Sequence, residues 1–177
     1  NSLKKVESTK TTQDIAVATA YANLLSNGLQ ATPDISYTVE TPPTITGTYL
    51  KKTEGQIRIG VSQGTEGSML TLSGLVTGTV PYSSSVAQPI GDTGLFIKFN
   101  ASQSNINWTI DIPNKRSTSY LSLYNAYTNA QVTRDNTYSD ADRQIAEYTQ
   151  KLNDLKKGAK DIDLEAQMLT VQQRQNA

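Results

Sequence analysis

Apolar residues recur in alternating steps of three and four over the last third of the chain. The positions concerned are Ile145, Tyr148, Leu152, Leu155, Ala159, Ile162, Ala166 and Leu169. This spacing predicts a helix with one apolar side, as at the a and d positions of a coiled coil. Such a stripe is too apolar to stand alone in water, so another helix or another protein is expected to cover it.

The C-terminal helix is predicted to begin at Ser139, since Ser139 followed by Asp142 is typical of a helix start. Gly158 interrupts the run at a cost of roughly 1 kcal/mol relative to Ala. Two structures are compatible with it: one helix over about 139–173, or a helical hairpin that turns at Gly158. Because the apolar spacing continues across Gly158, we favour one helix, about 50 Å long at 1.5 Å per residue.

A second helix is predicted over about residues 8–30. Its apolar face is formed by Ile15, Ala18, Ala22, Leu25 and Leu29. Gly28 stands where a C-terminal cap is expected, and Pro33 follows the end of the segment. This helix is expected to pack on the rest of the chain; the alternative is a stalk that continues from a missing N-terminal anchor. With about 20 residues, it can cover roughly 30 Å of the C-terminal stripe.

The region between the helices, about residues 34–116, has the alternation of β-strands. Residues 106–112 give the clearest example, with apolar residues at every second position. Further runs include Ile35, Tyr37 and Val39, and the link Ala101–Asn105 suits a hairpin loop. We expect an antiparallel β-sandwich of seven or eight short strands, or a partly closed barrel. The predicted core consists of Ile57, Ile59, Leu70, Leu72, Leu95, Ile97, Phe99, Ile106, Trp108, Ile110 and Ile112.

The segment that follows the β-region is ambiguous. Its apolar and aromatic residues fit either a helical stripe or a last strand, and we predict a strand up to about Tyr124. The polar stretch Gln131–Tyr138 then reads as a turn. The predicted fold is therefore α+β, with three parts: an N-terminal helix at 1–33, the β-sandwich at 34–125, and a linker with the C-terminal amphipathic helix at 126–177.

The composition excludes several kinds of chemistry. The chain has no histidine and no cysteine, which excludes disulfides, zinc sites built on these residues, and catalytic triads that use them. Sixteen basic and sixteen acidic residues give a net charge of zero, so nucleic acid is not an expected partner. The carboxylates of the β-region alternate out of the apolar strands or lie at turns. We therefore expect no enzyme, no catalytic residue, no cofactor and no metal site.

Two functions remain, and both are forms of binding. The first is a structural or assembly subunit of an extracellular appendage, a surface structure or a phage virion, which forms a homo-oligomer or contacts another assembly protein through its helices. Its interaction residues are predicted to be Ile145, Tyr148, Leu152, Leu155, Ile162 and Leu169. The alternative is a carbohydrate- or receptor-binding β-sandwich. Its ligand platform is predicted to be Tyr82, Tyr120, Tyr124 and Tyr127.

The same composition bears on location. Ser, Thr, Asn and Gln account for 64 of the 177 residues, whereas charged residues are only 18%. A surface of this kind indicates an extracellular, cell-surface, periplasmic or virion protein. No apolar run is long enough to span a membrane. Because the chain starts at Asn1, the sequence leaves open whether an N-terminal signal or anchor precedes it.

Overall fold

The computed structural model describes residues 2–34, 41–64, 67–103 and 106–175. Within these ranges the protein is α+β, with a helix near each end and eight strands between them. The elements are α1 (Ser2–Ser26), β1 (Ala31–Pro33), β2 (Thr44–Gly47), β3 (Gly55–Gly64), β4 (Gly67–Gly74), β5 (Gly78–Pro81), β6 (Gln88–Pro89), β7 (Leu95–Lys98), β8 (Asn107–Ile112) and α2 (Tyr120–Gln175). The predicted α+β class and the flanking helices are confirmed.

The strands form two antiparallel sheets. The larger has five strands in the order β1-β8-β3-β4-β5, and the smaller has three in the order β2-β7-β6. In the larger sheet, Trp108 of β8 lies opposite Ile59 of β3, and Ile110 lies opposite Ile57. Because side chains alternate between the faces of a strand, this register places all four residues on one face.

The chain forms two compact units. One is Ile15–Gln131, which contains both sheets, the second half of α1 and the first turns of α2. The other, the helical unit, consists of Asn1–Asp14 and Val132–Ala177.

The core of the β-containing unit agrees with the alternation in the sequence. All eleven residues of the predicted core are buried, and Trp108 is completely enclosed. The Trp108 indole Nε1 donates a hydrogen bond to Oε1 of Gln103, at 3.2 Å, and Gln103 is itself buried. The only polar atom of the indole is therefore satisfied, which a buried tryptophan requires.

Helix α1 differs from the prediction in its length and in its buried face. It begins at Ser2, and Ile15 is 61% exposed, with Ala18 and Ala22 also exposed. The residues that turn inward are Val17, Tyr21, Leu24 and Leu25. The predicted face is therefore right at Leu25, which is buried, and at Leu29, which packs on the core, and wrong at Ile15, Ala18 and Ala22. The alanines remove too little area from water to decide which side of the helix packs.

The end of α1 agrees with the prediction. Gly28 has a φ of +67°, the left-handed conformation that commonly ends a helix and that glycine adopts without steric cost. A Cβ atom at this position would lie 2.2 Å from the Ser117 hydroxyl oxygen. Close packing therefore favours glycine here in addition to the backbone conformation.

Helix α2 begins much earlier than predicted. It starts at Tyr120, so the expected strand up to Tyr124, the turn at Gln131–Tyr138 and the helix start at Ser139 are wrong. The polar residues are accommodated because their hydroxyls donate to carbonyls four residues back: Thr128 to Tyr124, Thr137 to Thr133 and Ser139 to Asp135. The helix passes through Gly158 without a break, as favoured from the apolar spacing.

Two further predictions concern the strands. The link Ala101–Asn105 is not a hairpin loop, because β7 belongs to the smaller sheet and β8 to the larger one. The chain crosses between sheets at this point, which period-two alternation cannot distinguish from a hairpin. The predicted strand with Ile35, Tyr37 and Val39 lies outside the described residues.

Replacing Trp108 with Ala should lower the free energy of unfolding by about 3–5 kcal/mol, because it leaves a large cavity in a closed core. Trp108→Phe, which fills much of the same space, should cost clearly less. Urea unfolding followed by circular dichroism measures both variants. An equally small loss for the two would contradict the buried position of Trp108.

Stability at high pH should depend on Tyr21. Burial and a hydrogen bond from its hydroxyl to Glu54, at 3.0 Å, raise the pKa of Tyr21 to about 12. Since the pKa of an unfolded tyrosine is about 10, the folded state holds this proton more tightly. Its stabilising contribution is complete below pH 10 and is lost as the pH rises through 12.

Tyr21→Phe should therefore remove part of the fall in the urea midpoint between pH 10 and pH 12. Tyr148→Phe, at an exposed site of α2, is the matched control and should leave that fall unchanged. An identical pH profile for wild type and Tyr21→Phe would show that the Tyr21–Glu54 contact does not contribute.

Candidate functional site

In the helical unit, α1 and α2 are antiparallel and are held together by polar contacts. The Lys10 ammonium lies 2.6 Å from the Asp142 carboxylate and 4.8 Å from the centre of the Tyr138 ring. The Tyr138 hydroxyl donates to Asp14 at 2.5 Å, and this hydrogen bond raises the pKa of Tyr138. Four residues forward in α1 thus correspond to four residues back in α2, which fixes the register of the pair.

This register determines which part of α2 lies beside α1. A groove of about 470 Å³ separates the two helices, with Lys5 and Val6 on one side and Gln144 and Tyr148 on the other. Each residue back along α1 corresponds to one residue forward along α2, so Ser2 lies level with about residue 150 of α2. The described part of α1 therefore lies beside α2 only up to that point.

Beyond residue 150, the apolar side of α2 is exposed. Of the predicted interaction residues, Ile145 is partly buried and Tyr148 is 41% exposed. The others, Leu152, Leu155, Ile162 and Leu169, are between 51% and 72% exposed. We refer to Leu152, Leu155, Ala159, Ile162, Ala166 and Leu169 as the distal stripe. Its leucine and isoleucine side chains form an exposed apolar surface along this part of α2.

The middle of the distal stripe contains a shallow hollow of about 700 Å³. Leu155, Ala159 and Ile162 form its apolar floor, with Lys151, Asp154 and Gly158 around them. A Cβ atom added at Gly158 would meet no heavy atom within 4 Å. Small residues therefore leave room on this side of the helix for the side chains of another surface.

The four tyrosines of the predicted ligand platform have different surroundings. The Tyr82 ring lies 5.2 Å from that of Phe99, and its hydroxyl donates to the Ala101 carbonyl while it accepts from the Gln103 amide. Tyr82 is thus occupied in holding the segment after β7. The other three are on α2: the Tyr127 ring packs against Tyr21 at 4.9 Å, and Tyr120 stacks with Tyr124 at 5.9 Å.

Of these tyrosines, Tyr124 offers the most open ring surface, with 46% exposure. Tyr82, Tyr120 and Tyr127 are partly buried. The structure therefore gives one stacked pair, Tyr120 and Tyr124, that a flat ligand could approach, rather than a platform of four rings.

The β-containing unit also has a polar groove that no pattern in the sequence predicted. It has a volume of about 420 Å³ and lies at the end of β8, with Gln56, Asp111 and Arg116 in its wall. Gln56 donates to Asp111 at 2.8 Å, and Arg116 pairs with Asp111 at 3.2 Å. Glu54, also at the groove, accepts from Tyr21. Only the β3–β8 register, which pairs Gln56 with Asp111, could have revealed this arrangement.

Both carboxylates of this groove are engaged in hydrogen bonds or ion pairs, and this arrangement is typical of a structural network at the edge of a sheet. In the part of the chain that the structure describes, no cluster of three or more metal-ligating side chains occurs. None of the described helices combines the length and apolarity needed to cross a membrane.

Comparison of the chain with family models, with curated proteins and with solved structures gave no match. The candidate site is therefore identified from the structure alone. It is the exposed distal stripe of α2.

Proposed function

We propose that this protein is a non-enzymatic assembly subunit that self-associates through its terminal helices, within an extracellular appendage, a surface structure or a phage virion. The observation that carries the proposal is the exposed distal stripe. Its large aliphatic side chains follow one side of a continuous helix for about 25 Å. Exposed contiguous apolar surface of this kind marks an interaction site in soluble proteins.

The β-containing unit has a role different from that of the helices. Inward residues of both sheets, such as Ile97 of β7 and Trp108 of β8, belong to one apolar cluster. We infer that the two sheets pack face to face as an antiparallel sandwich, with a core that needs no partner. The unit then serves as a rigid body, while association takes place through the distal stripe of α2.

The chemistry of the chain also favours assembly over catalysis. With no histidine or cysteine, general acid–base or nucleophilic chemistry would depend mainly on carboxylates, lysines or hydroxyls. Asp111 and Glu54, the two carboxylates in the polar groove, already have partners. The polar, weakly charged composition supports a location outside the cytoplasm.

A carbohydrate- or receptor-binding role is the second candidate. The stacked pair of Tyr120 and Tyr124 favours it, since an exposed tyrosine ring can stack against the apolar face of a sugar. A glycan array distinguishes the two roles: sugar binding that disappears in Tyr124→Ala would support the second candidate.

Self-association should depend on the distal stripe. Wild type should increase in average mass with concentration in sedimentation equilibrium. A chain with Leu152→Asp and Leu155→Asp should stay monomeric, because two charges in the apolar stripe oppose its burial. At dilution, both chains should melt at nearly the same temperature, since both leucines are exposed.

The matched control carries Gln150→Asp and Asn153→Asp, which add the same charge to the outer side of the same helical turns. It should associate like wild type. Wild type that stays monomeric at every concentration, or a leucine variant that associates as wild type does, would overturn the assembly role.

A further inference from the structure

We propose that the distal stripe docks against the distal stripe of a second copy of this chain, with the two helices antiparallel and centred between Lys160 and Asp161. This inference rests on the proposed assembly role and adds its partner, orientation and register. Three features support it: the order of charges along α2, the position of two of these charges beside the stripe, and the sizes of the residues in the stripe.

The charges on the distal part of α2 are segregated. Residues 151–160 carry four lysines and one aspartate, a net charge of +3, whereas residues 161–165 carry two aspartates and one glutamate, a net charge of −3. Two parallel helices in register would place like charges beside each other. Antiparallel helices place the basic half of each beside the acidic half of the other, which is attractive.

The charged residues at the heptad positions beside the stripe also favour antiparallel over parallel helices. In the heptad that puts Leu152 at a and Leu155 at d, Lys156 and Asp163 both occupy e positions. In antiparallel pairs e positions face each other, so each Lys156 meets Asp163 of the second copy, and two ion pairs form. In a parallel pair, g faces e, so Lys151 would meet Lys156 twice, which is repulsive.

The stripe also has complementary sizes in the antiparallel arrangement. About the proposed centre, Leu155 lies opposite Ala166, and Ala159 lies opposite Ile162. Each small residue therefore faces a large one, which lets the two surfaces interlock without voids. Leu152 lies opposite Leu169 and closes each end. A parallel pair in register would instead set Ala159 against itself and Ala166 against itself, leaving unfilled space.

All residues that this contact needs are available. The distal stripe and its flanking residues Lys156 and Asp163 are exposed, and α2 is one continuous helix through them. The Lys10–Asp142 ion pair, the Tyr138–Asp14 hydrogen bond and the contact of Lys10 with the Tyr138 ring, which hold α1, all lie before residue 150 in the chain. Docking of a second copy therefore leaves the described contacts between α1 and α2 in place.

Cross-linking tests the orientation directly, because the chain has no cysteine of its own. A mixture of Leu152→Cys chains and Leu169→Cys chains should give disulfide-linked mixed dimers on mild oxidation. Either variant alone should not link to itself, since its two cysteines would lie about 25 Å apart. Efficient linkage of Leu152→Cys to itself would overturn the antiparallel arrangement.

A charge exchange tests the register without changing the stripe. Lys156→Glu and Asp163→Lys should each weaken self-association about tenfold, since each converts two ion pairs into two repulsive contacts. A chain that carries both changes should self-associate with an affinity within about threefold of wild type. Lys157→Glu, on the outer side of the helix, is the control and should change association less than about twofold.

Tighter association of Lys156→Glu, or failure of the double exchange to restore binding, would overturn the proposed register. If wild type never associates, this proposal and the assembly role both fail. A different result would separate the two proposals: wild type associates, and the paired Leu152 and Leu155 substitutions prevent association, but cross-linking shows parallel helices. The assembly role would then stand, and the antiparallel contact would be wrong.

Discussion

The central physical constraint on this protein is that the apolar side of α2 extends beyond the residues that pack against it. Within the described residues, the register set by Lys10 and Asp142 brings the first residue of α1 level with about residue 150, whereas α2 continues to Gln175. Over this extension the large aliphatic side chains of the distal stripe contact water, although their burial would be favourable by about 25 cal/mol per Å². A second surface can recover that free energy, and the assembly role proposed here follows from this.

The two parts of α2 in the helical unit are suited to different contacts. Where α2 lies beside α1, the pair is fixed by Lys10, Asp142, Tyr138 and Asp14, whose charges and hydrogen bonds need one particular alignment. Along the distal stripe, the contact side is aliphatic and the charges stand at its margins. Polar groups within a seam define register at some cost in stability, whereas aliphatic residues supply affinity. The contact with α1 is thus suited to the fold of one chain, and the distal stripe to the proposed association between chains.

Sequence patterns predicted the parts of the structure that are regular over several residues. Period-two alternation identified the buried faces of β3, β4, β7 and β8, including Trp108, and the three–four spacing identified α2 through Gly158. The polar stretch Gln131–Tyr138 was wrongly predicted to be a turn. Its hydroxyl side chains, such as that of Thr137, form hydrogen bonds within the helix. The partition of β7 and β8 between sheets depends on contacts distant in sequence, which no local pattern contains. The distal stripe was visible as a pattern, but its exposure depended on the register set by Lys10 and Asp142.

Hydrogen exchange at several protein concentrations measures most directly whether the distal stripe becomes buried by association. If the stripe is the site of association, amides of residues 150–170 should exchange rapidly at dilution and become protected as concentration rises, in proportion to the associated fraction. Amides of β3 and β8, which lie in a closed core, should exchange at the same slow rate throughout. Unchanged exchange along residues 150–170, under conditions in which scattering shows association, would mean that another surface holds the assembly together and that the distal stripe is not the contact.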